Sequence, residues 1–302
     1  MTSTAYPSRF NSRLKERISL SAPPRQMHRL WSMQTRTFIF EKALVATYTN
    51  LMCFPRKHFG RDQMSMSSAD FRTAVVLAGG PATRLRPLTE NTPKGLIMVG
   101  GKPLLGWVME WLRSCGVRNV VMGVAHLKDM IIEHFGEGSK YGLEIKYSVH
   151  TVEGGTAEGF RLAIQRYVQD GKFFAMNGDQ IVDLRLADLY KFHLNHRAIA
   201  TIVGGYARCA FGHLLTDKDG NLLSFLEKPL CDHVFISTGI YAFNRRILDY
   251  MPERGDVEET VFPELAKRKQ VKVFPFKGRF LTINTYKDLL EAEDEMKNRR
   301  PV

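Results

Sequence analysis

The chain has 302 residues, of which 44% are hydrophobic and 25% charged, and this composition excludes a globally disordered protein because it suffices for one large α/β domain. The formal net charge is +12, but residues 1–70 hold 11 Lys and Arg against 4 Asp and Glu, which leaves 32 against 27 for the rest of the chain. Most of the excess therefore lies outside the expected folded domain, whose modest positive charge suits either phosphate ligands or a mildly basic surface.

The four cysteines are widely separated and form no CxxC pair. We expect them to be reduced thiols in a cytosolic-type protein, with neither metal nor disulfide roles. No run approaches the roughly 18 apolar residues that a membrane-spanning helix needs. The protein is therefore expected to be soluble and cytoplasmic, without a membrane partner.

Residues 1–70 are basic and show no alternation of strand and helix patterns. Three interpretations stay open. The segment could be translated from upstream of the true start, since Met64 and Met66 precede the ordered pattern; it could be a transit peptide, although three prolines interrupt it; or it could be a genuine accessory arm. We expect a poorly ordered N-terminal extension over residues 1–70 and one folded domain over residues 71–302.

Short buried strands alternate with helices from Thr73 onward. Strands are predicted at 73–78, 119–125, 144–149 and 173–176, and helices at 104–114, 128–134 and 157–168. This alternation predicts βαβ units in an α/β fold, with a mostly parallel sheet and helices on both faces. Ligands of such sheets bind at the carboxyl ends of the strands.

The second half of the chain is predicted to extend this sheet. A helix is predicted at 187–197, strands at 200–205, 222–226, 235–243, 271–276 and 280–283, and a final helix at 286 to about 298. The sequence DKDG at residues 217–220 predicts a hairpin turn between two strands.

The strongest motif is LAGGPATRLRPLT at residues 77–89, followed by TPK at residues 92–94. A strand that ends in Gly79 and Gly80 lets the backbone turn sharply and bring successive N–H groups close to a phosphate. Arg84 and Lys94 add the positive charge that a triphosphate requires. A glycine turn with solvated cations nearby would explain the glycine pair alone, but not the full string.

The string resembles the signature of the sugar nucleotidyltransferase family, LAGGxGTRLRPLT followed by PKPL. The resemblance covers residues 72–302 and implies a Rossmann-like three-layer fold with a mostly parallel mixed central sheet. It also implies that Arg84 binds the triphosphate and that Lys94 binds the phosphates at the reaction centre. The implied nucleotide loop contains Leu77, Ala78, Gly79, Gly80 and Thr83.

A second motif, Asn177-Gly178-Asp179, follows the strand predicted at 173–176. An acid at the carboxyl end of a strand, on a glycine turn, is placed to hold a hard cation that bridges phosphates. The motif resembles the family's NGD, which implies that Asp179 binds Mg²⁺ and that Gly178 lies at the nucleotide. Read in isolation, the motif would more often be an Asx turn. Asp183 and His193 also match family positions, where we expect structural roles.

Gly155 and Thr156 open the helix that precedes the NGD strand, and small residues there would let a base or phosphate lie against backbone N–H groups. The family has a similar GTAG at this place, which implies a nucleotide-binding role. Glu158 replaces the last glycine, so an ordinary helix cap by Thr156 would explain much of the pattern.

Two later segments complete the resemblance. Glu227 and Lys228 match the family's EKP, while Thr238 and Gly239 lie in a strand that resembles its NxGxY. The resemblance implies that these four residues bind the sugar hydroxyls and the sugar phosphate. Alone, either segment would more often be an exposed turn or an interior strand.

The chain departs from the family pattern at three places. Thr282 stands where GxWxDIGTPEDY has its second metal-binding Asp, although the amide oxygen of Asn284 is a neutral substitute two residues away. Ala82 replaces a glycine of the phosphate loop, at a cost of roughly 1 kcal/mol if that position requires positive φ. Gly95 replaces the second proline of PKPL.

These observations favour a magnesium-dependent transferase that joins a nucleoside triphosphate to a sugar 1-phosphate, with Arg84, Lys94 and Asp179 as catalytic residues. The alternative is a non-catalytic nucleotide-sugar sensor or partner subunit of the same family, which the change at Thr282 favours. A homo-oligomer is compatible with both hypotheses. Specific nucleic-acid binding ranks below them because the basic N-terminal segment contains no recognisable module.

Overall fold

A seven-stranded sheet organises the described part of the chain, which comprises residues 71–209 and 211–297 of this computed structural model. These residues belong to one unit, Met64–Val302, and the N-terminal extension predicted over residues 1–70 lies outside them. Within the described residues, no helix combines the length and the apolar character needed to cross a bilayer.

Thirteen strands and six α-helices are formed by these residues. The strands are β1 (Thr73–Leu77), β2 (Met98–Val99), β3 (Lys102–Pro103), β4 (Asn119–Val124), β5 (Glu144–Val149), β6 (Lys172–Asn177), β7 (Gln180–Val182), β8 (Ala200–Arg208), β9 (His213–Thr216), β10 (Leu222–Leu226), β11 (Leu230–Asn244), β12 (Val271–Phe276) and β13 (Phe280–Thr282). The helices are α1 (Leu104–Ser114), α2 (Lys128–Phe135), α3 (Gly155–Tyr167), α4 (Leu186–His196), α5 (Val261–Lys267) and α6 (Tyr286–Lys297).

The central sheet has the strand order β12-β8-β11-β6-β1-β4-β5. Strand β1 pairs in parallel with β4 and β6, and β4 pairs in parallel with β5. Strand β11 is antiparallel to both of its neighbours, β6 and β8, whereas β8 and β12 are again parallel. The mostly parallel mixed sheet that was expected is therefore confirmed.

Helices cover both faces of this sheet, and successive residues of β1 point to opposite faces because side chains alternate along a strand. Ala74 and Val76 pack into a buried cluster that includes residues of α1, α2 and α4. Val75 packs into a second buried cluster, which includes residues of α3 and α5. These helix, sheet and helix layers are the three layers of the expected architecture.

Two of the strands expected to extend the central sheet, at 222–226 and 280–283, do not join it. Strands β9 and β10 form a separate antiparallel pair, and β13 pairs with β7 instead. The turn at residues 217–220 is confirmed, with the N–H of Gly220 donating to the carbonyl of Asp217 over 3.2 Å. Its first strand, β9, and the short helix α5 were not expected, because each is too short for a hydrophobic period to identify it.

The expectation of four reduced cysteines is wrong for Cys209, which is disulfide-bonded. The backbone N–H of Cys209 donates to the carbonyl of Pro229 over 2.9 Å, beside the pairing of β8 with β11. Strands β8 and β11 are separated along the chain by β9 and β10. The spacing of the cysteines in the sequence therefore did not indicate a disulfide. Cys115 is a free thiol, and burial raises its pKa.

Candidate active site

The glycine loop after β1 lies at the carboxyl end of that strand, which is an interior strand of the sheet between β6 and β4. The N–H of Ala78 donates to the carbonyl of Gly123 over 2.7 Å, and the carbonyl of Gly79 accepts from the N–H of His126 over 3.1 Å. A Cβ atom on Gly79 would lie 2.6 Å from Nε2 of His150, so the loop requires glycine there. Around Gly80 the space is open, which leaves room for a ligand to approach the backbone.

Ala82 in this loop has φ of 46°, the left-handed conformation for which the family's glycine is suited. Its carbonyl accepts from the N–H of Leu85 over 3.0 Å and from the hydroxyl of Thr89 over 2.9 Å. These two bonds hold the loop in a conformation that costs an alanine roughly 1 kcal/mol. Position 82 therefore has the positive φ on which the predicted cost of alanine depends.

A cavity of about 310 Å³ opens beside this loop. Nine of the fifteen predicted site residues line it: Leu77, Ala78, Gly79, Gly80, Lys94, Gly155, Thr156, Gly178 and Asp179. They come from four separate segments of the chain, at residues 77–80, 94, 155–156 and 178–179, which meet where β1 and β6 end. Gly178 closes this junction, since its N–H donates to the carbonyl of Leu77 over 2.7 Å.

Lys94 lies between two side-chain oxygen atoms, one from Asp179 and one from Asn284. Its Nζ is 2.6 Å from Oδ2 of Asp179 and 2.9 Å from Oδ1 of Asn284. Asn284 is fixed because its N–H, like that of Thr285, donates to the carboxylate of Asp288 at the start of α6. The N–H of Ile283 donates to the backbone carbonyl of Asp179 over 3.2 Å, which joins the two segments directly.

The carboxylate of Asp179 and the amide oxygen of Asn284 are hard donors of the type that Mg²⁺ prefers. The ammonium of Lys94 contacts both of them, so a cation already occupies the space between these oxygens. No group of three or more His, Cys, Asp or Glu that could hold a metal occurs among residues 71–209 and 211–297. Asp179 and Asn284 would therefore supply two ligands, and a Mg²⁺ ion held there would displace Lys94 and take its other ligands from water and substrate phosphates.

His150 lines the same cavity directly after β5. Its Nδ1 lies 2.9 Å from the carbonyl oxygen of Thr151, and because a carbonyl can only accept, Nδ1 carries the proton. In the neutral ring Nε2 is then an acceptor, and this buried atom has no hydrogen-bond partner within the described structure. The atom lies against Gly79 and Gly159, so a ligand could donate to it only after the glycine loop moves away.

Thr156 has its own polar groups engaged inside the protein. Its N–H donates to Oδ1 of Asp256, while its hydroxyl donates to Oε2 of Glu258 and accepts from the N–H of Val257, each over 2.9 Å. The other oxygen of Glu258 accepts from the hydroxyl of Tyr241 over 3.0 Å. Burial and this neighbouring carboxylate raise the pKa of Tyr241, so the phenol stays protonated. Asp256 also lines the cavity and occupies the N–H that a phosphate would otherwise use.

Residues 73–299 of the chain match the sequence model of the family described as "Nucleotidyl transferase". The chain belongs to the nucleotidyl transferase family.

Two relatives carry names that state an activity. The chain is 34% identical over 212 residues to the UTP–glucose-1-phosphate uridylyltransferase of Synechocystis sp., a match that covers 64% of this chain and 54% of that protein. It is 35% identical over 227 residues to the mannose-1-phosphate guanyltransferase of Yarrowia lipolytica, covering 72% of this chain and 62% of that protein. The chain thus spans less than two thirds of the length of either relative.

One solved structure of similar fold is that of HddC from Yersinia pseudotuberculosis complexed with GMP-PN. It is 25% identical to this nucleotidyl transferase chain, covers 74% of it and 98% of HddC, and gives a TM-score of 0.59. The likeness agrees with the Rossmann-like three-layer architecture described above.

Six predicted site residues of this nucleotidyl transferase lie outside the cavity lining: Thr83, Arg84, Glu227, Lys228, Thr238 and Gly239. Arg84 is exposed on the loop. Glu227 and Lys228 follow β10, pair with each other over 3.8 Å and leave more than 60% of each side chain in water. Their sugar-phosphate role stays a prediction.

Thr238 and Gly239 occupy a tight part of β11. The hydroxyl of Thr238 is buried and donates to the carbonyl of Val203 over 3.0 Å, so it is engaged in the sheet. Gly239 has φ of 71°, and a Cβ atom there would collide with the side-chain amides of Asn177 and Gln180. The close packing accounts for the glycine without a ligand.

The sequence did not indicate two of the cavity residues, His150 and Asp256. His150 follows the carboxyl end of a predicted strand, so the rule for ligand sites in parallel sheets could have identified it. Asp256 lies in a loop about a hundred residues from its hydrogen-bond partner Thr156, and no local pattern marks it. Asn284, expected only as a substitute donor, is in contact with Lys94.

Proposed function

We propose that this chain transfers a nucleotidyl group from a nucleoside triphosphate to a sugar 1-phosphate and releases pyrophosphate. The observation that carries the proposal is the contact of Lys94 with Asp179, 2.6 Å apart, beside a glycine loop with open space for phosphates. Cation, carboxylate and free backbone are the groups that nucleotidyl transfer requires, because its catalysis consists of positioning and charge neutralisation.

In the proposed reaction, an oxygen of the sugar phosphate forms a bond to the α-phosphorus while the bond from that phosphorus to the bridging oxygen of pyrophosphate breaks. The attacking phosphate monoester is already ionised, so no residue has to remove a proton. Lys94 would orient the reacting phosphates, and Arg84 would contact the triphosphate from the exposed loop. Magnesium held by Asp179 and Asn284 would supply neutralising charge to the phosphate oxygens.

His150 supports a contact with the base. Nε2 is a buried acceptor without a partner in the described residues, and it lies against Gly79 and Gly159. Guanine and uracil each present a ring N–H that would donate to it once the glycine loop opens. The relatives agree with this choice: one is named a guanyltransferase, one a uridylyltransferase, and HddC was solved with GMP-PN. We propose GTP with mannose 1-phosphate as the first pair to test, and UTP with glucose 1-phosphate as the second.

A nucleotide-sugar sensor without turnover is the second candidate function. The observation that favours it is Thr282, which pairs with Gln180 in the β13 and β7 ladder and supplies no carboxylate to the site. Asn284 offsets this loss in part, since its oxygen lies within hydrogen-bonding distance of the same ammonium as Asp179. The contact of Asn284 with Lys94 is why we rank the enzyme above the sensor.

The test is pyrophosphate release by the full chain with magnesium, across four nucleoside triphosphates and a panel of sugar 1-phosphates. Asp179→Ala is the inactivating variant, and Asp129→Ala is its matched control because that side chain is 86% exposed on α2. Release with one pair, lost only in Asp179→Ala, would support the transferase. Saturable nucleotide-sugar binding without release from any pair would favour the sensor instead.

A further inference from the structure

The strand order places the two ends of the cavity on opposite sides of the glycine loop. Within the order β6-β1-β4-β5, Asp179 follows β6 and His150 follows β5, so three strand spacings, or about 14 Å, separate the ends of these two strands. Lys94 and Asp179 lie at the β6 end, where they receive the phosphates in the proposed reaction. The base of the nucleotide then lies at the β5 end.

Asp256 belongs to the β5 end, because it lines the cavity and is bonded to the start of α3. Its Oδ1 accepts from the N–H of Thr156 over 2.9 Å. Two backbone hydrogen bonds hold the loop that carries Asp256. The N–H of Ala157 donates to the carbonyl of Gly255 over 2.9 Å, and the N–H of Gly255 donates to the carbonyl of Gly154 over 3.0 Å. The carboxylate is therefore positioned by contacts within the protein.

The second carboxylate oxygen of Asp256 is available to a ligand. Among residues 71–209 and 211–297, Oδ2 has no hydrogen-bond or ion-pair partner. A carboxylate only accepts hydrogen bonds and repels the like charge of a phosphate, so the group that meets it is a donor of the base or the ribose. Val152 lines the same end of the cavity and is 42% exposed. This apolar surface suits a flat base, which favours the base over the ribose.

The four bases differ in the groups that they present to two acceptors. Adenine and cytosine have an acceptor nitrogen in the ring where guanine and uracil have an N–H, so the acceptor Nε2 of His150 suits guanine and uracil alike. Guanine carries an amino group beside this N–H, whereas uracil carries a carbonyl oxygen on each side of it. A carboxylate accepts from the amino group and repels a carbonyl oxygen. Asp256 therefore distinguishes the two bases that His150 does not.

We propose that Asp256 selects guanine as the base of the nucleotide, by accepting a hydrogen bond at Oδ2 from the 2-amino group of guanine. Oδ1 stays bonded to the N–H of Thr156, so the contact with α3 is kept when the base binds. This selection rests on the proposed function, from which the two ends of the cavity are assigned. It narrows the nucleotide substrate from guanine or uracil to guanine alone.

Equilibrium binding of nucleoside triphosphates to the full chain with magnesium tests the selection without requiring turnover. ITP lacks the 2-amino group and XTP has a carbonyl oxygen in its place, so both are compared with GTP and UTP. The wild type should bind GTP about tenfold or more tightly than the other three. Asp256→Asn should bring the ratio of the GTP and ITP affinities close to one. It should also improve XTP relative to GTP by about tenfold, because its amide donates to the carbonyl oxygen.

The design of the variant separates base selection from other effects. Asparagine retains an acceptor for the N–H of Thr156, so the bond to α3 can be kept. Removing a negative charge strengthens the binding of every triphosphate, and affinity ratios between bases cancel this gain. Glu259→Gln is the control, because it removes the same charge from an exposed side chain of the same loop that does not line the cavity. Its affinity ratios should equal those of the wild type.

Each other outcome overturns the selection by Asp256, and the pattern shows whether the transferase falls with it. The same ratio of GTP to ITP affinity in the wild type and in Asp256→Asn would overturn the selection alone. So would an equal loss for all four nucleotides, which would assign the carboxylate to the ribose or to magnesium. A wild type that prefers UTP, and releases pyrophosphate from it, would overturn the selection but support the transferase. Binding of no triphosphate at all would overturn the proposed function as well.

Discussion

Lys94 and Asp179 are 85 residues apart in sequence, yet Nζ of Lys94 lies 2.6 Å from Oδ2 of Asp179. The contact is partly shielded, with 14% of the Lys94 side chain and 26% of the Asp179 side chain exposed. It exists because the glycine loop after β1 and the turn after β6 leave neighbouring parallel strands on the same edge of the sheet. Asn284 adds a neutral oxygen on the other side of the same ammonium.

From this contact we predict that Asp179→Asn lowers kcat/KM for nucleotidyl transfer by about a hundredfold or more, because it removes the only carboxylate in contact with Lys94 in the described structure. Adding Asn284→Asp should restore part of this loss, since it returns one negative charge to the ammonium from the opposite side. Asp129→Asn is the control on an exposed carboxylate. Initial rates of pyrophosphate release would measure all four proteins, and undiminished activity of Asp179→Asn would contradict the assignment.

His150 is predicted to act on nucleotide affinity more than on turnover. His150→Phe removes the Nε2 acceptor and should raise KM for the preferred nucleoside triphosphate by about tenfold with little change in kcat. His150→Gln retains an acceptor and should lose less affinity. The exposed His134→Phe serves as the control. Steady-state kinetics for each base would check the prediction, which fails if His150→Phe and His134→Phe have the same KM.

The fold and the glycine loop were predictable from the sequence because their causes are local. Apolar runs of strand length, Gly79 and Gly80 at a strand end, and the NGD turn each fall within a few residues. The contact of Asp256 with Thr156, the pairing of Thr282 with Gln180 and the bonding of Cys209 depend on segments far apart in the chain. A single sequence carries no local signal for such pairings, so these parts of the structure could not be predicted.

The backbone of Ala82 gives a prediction about stability. Since φ is 46°, Ala82→Gly should relieve about 1–2 kcal/mol of left-handed strain, less the roughly 0.4–1 kcal/mol that glycine costs through the entropy of the unfolded chain. The net gain should raise Tm by a few degrees in a thermal unfolding scan. Ala163→Gly in α3, where glycine weakens a helix, should lower Tm instead. A fall in Tm for both variants would show that the Ala82 loop is not strained.

The buried His193 predicts how stability depends on pH. Its side chain is 1% exposed, and Nδ1 lies 2.9 Å from the hydroxyl oxygen of Thr201. Burial, and then the positive charges of Lys172 and His196, lower the pKa of His193 to about 4. In the unfolded chain the imidazole has its ordinary pKa of about 6.5, so between pH 6.5 and 4 the unfolded state binds a proton that the folded state does not.

The contribution of His193 to the unfolding free energy should therefore be fully present above pH 6.5. It should be lost as the pH falls towards 4, by up to about 1.4 kcal/mol per pH unit. His193→Gln removes the titrating ring. As the pH falls from 6.5 to 4, the unfolding free energy of the variant should therefore decrease less than that of the wild type. Urea unfolding at a series of pH values would measure it, with the exposed His134→Gln as control because its ring is in water in both states. Parallel pH profiles for wild type and His193→Gln would mean that His193 takes up its proton in the folded protein as readily as in the unfolded chain.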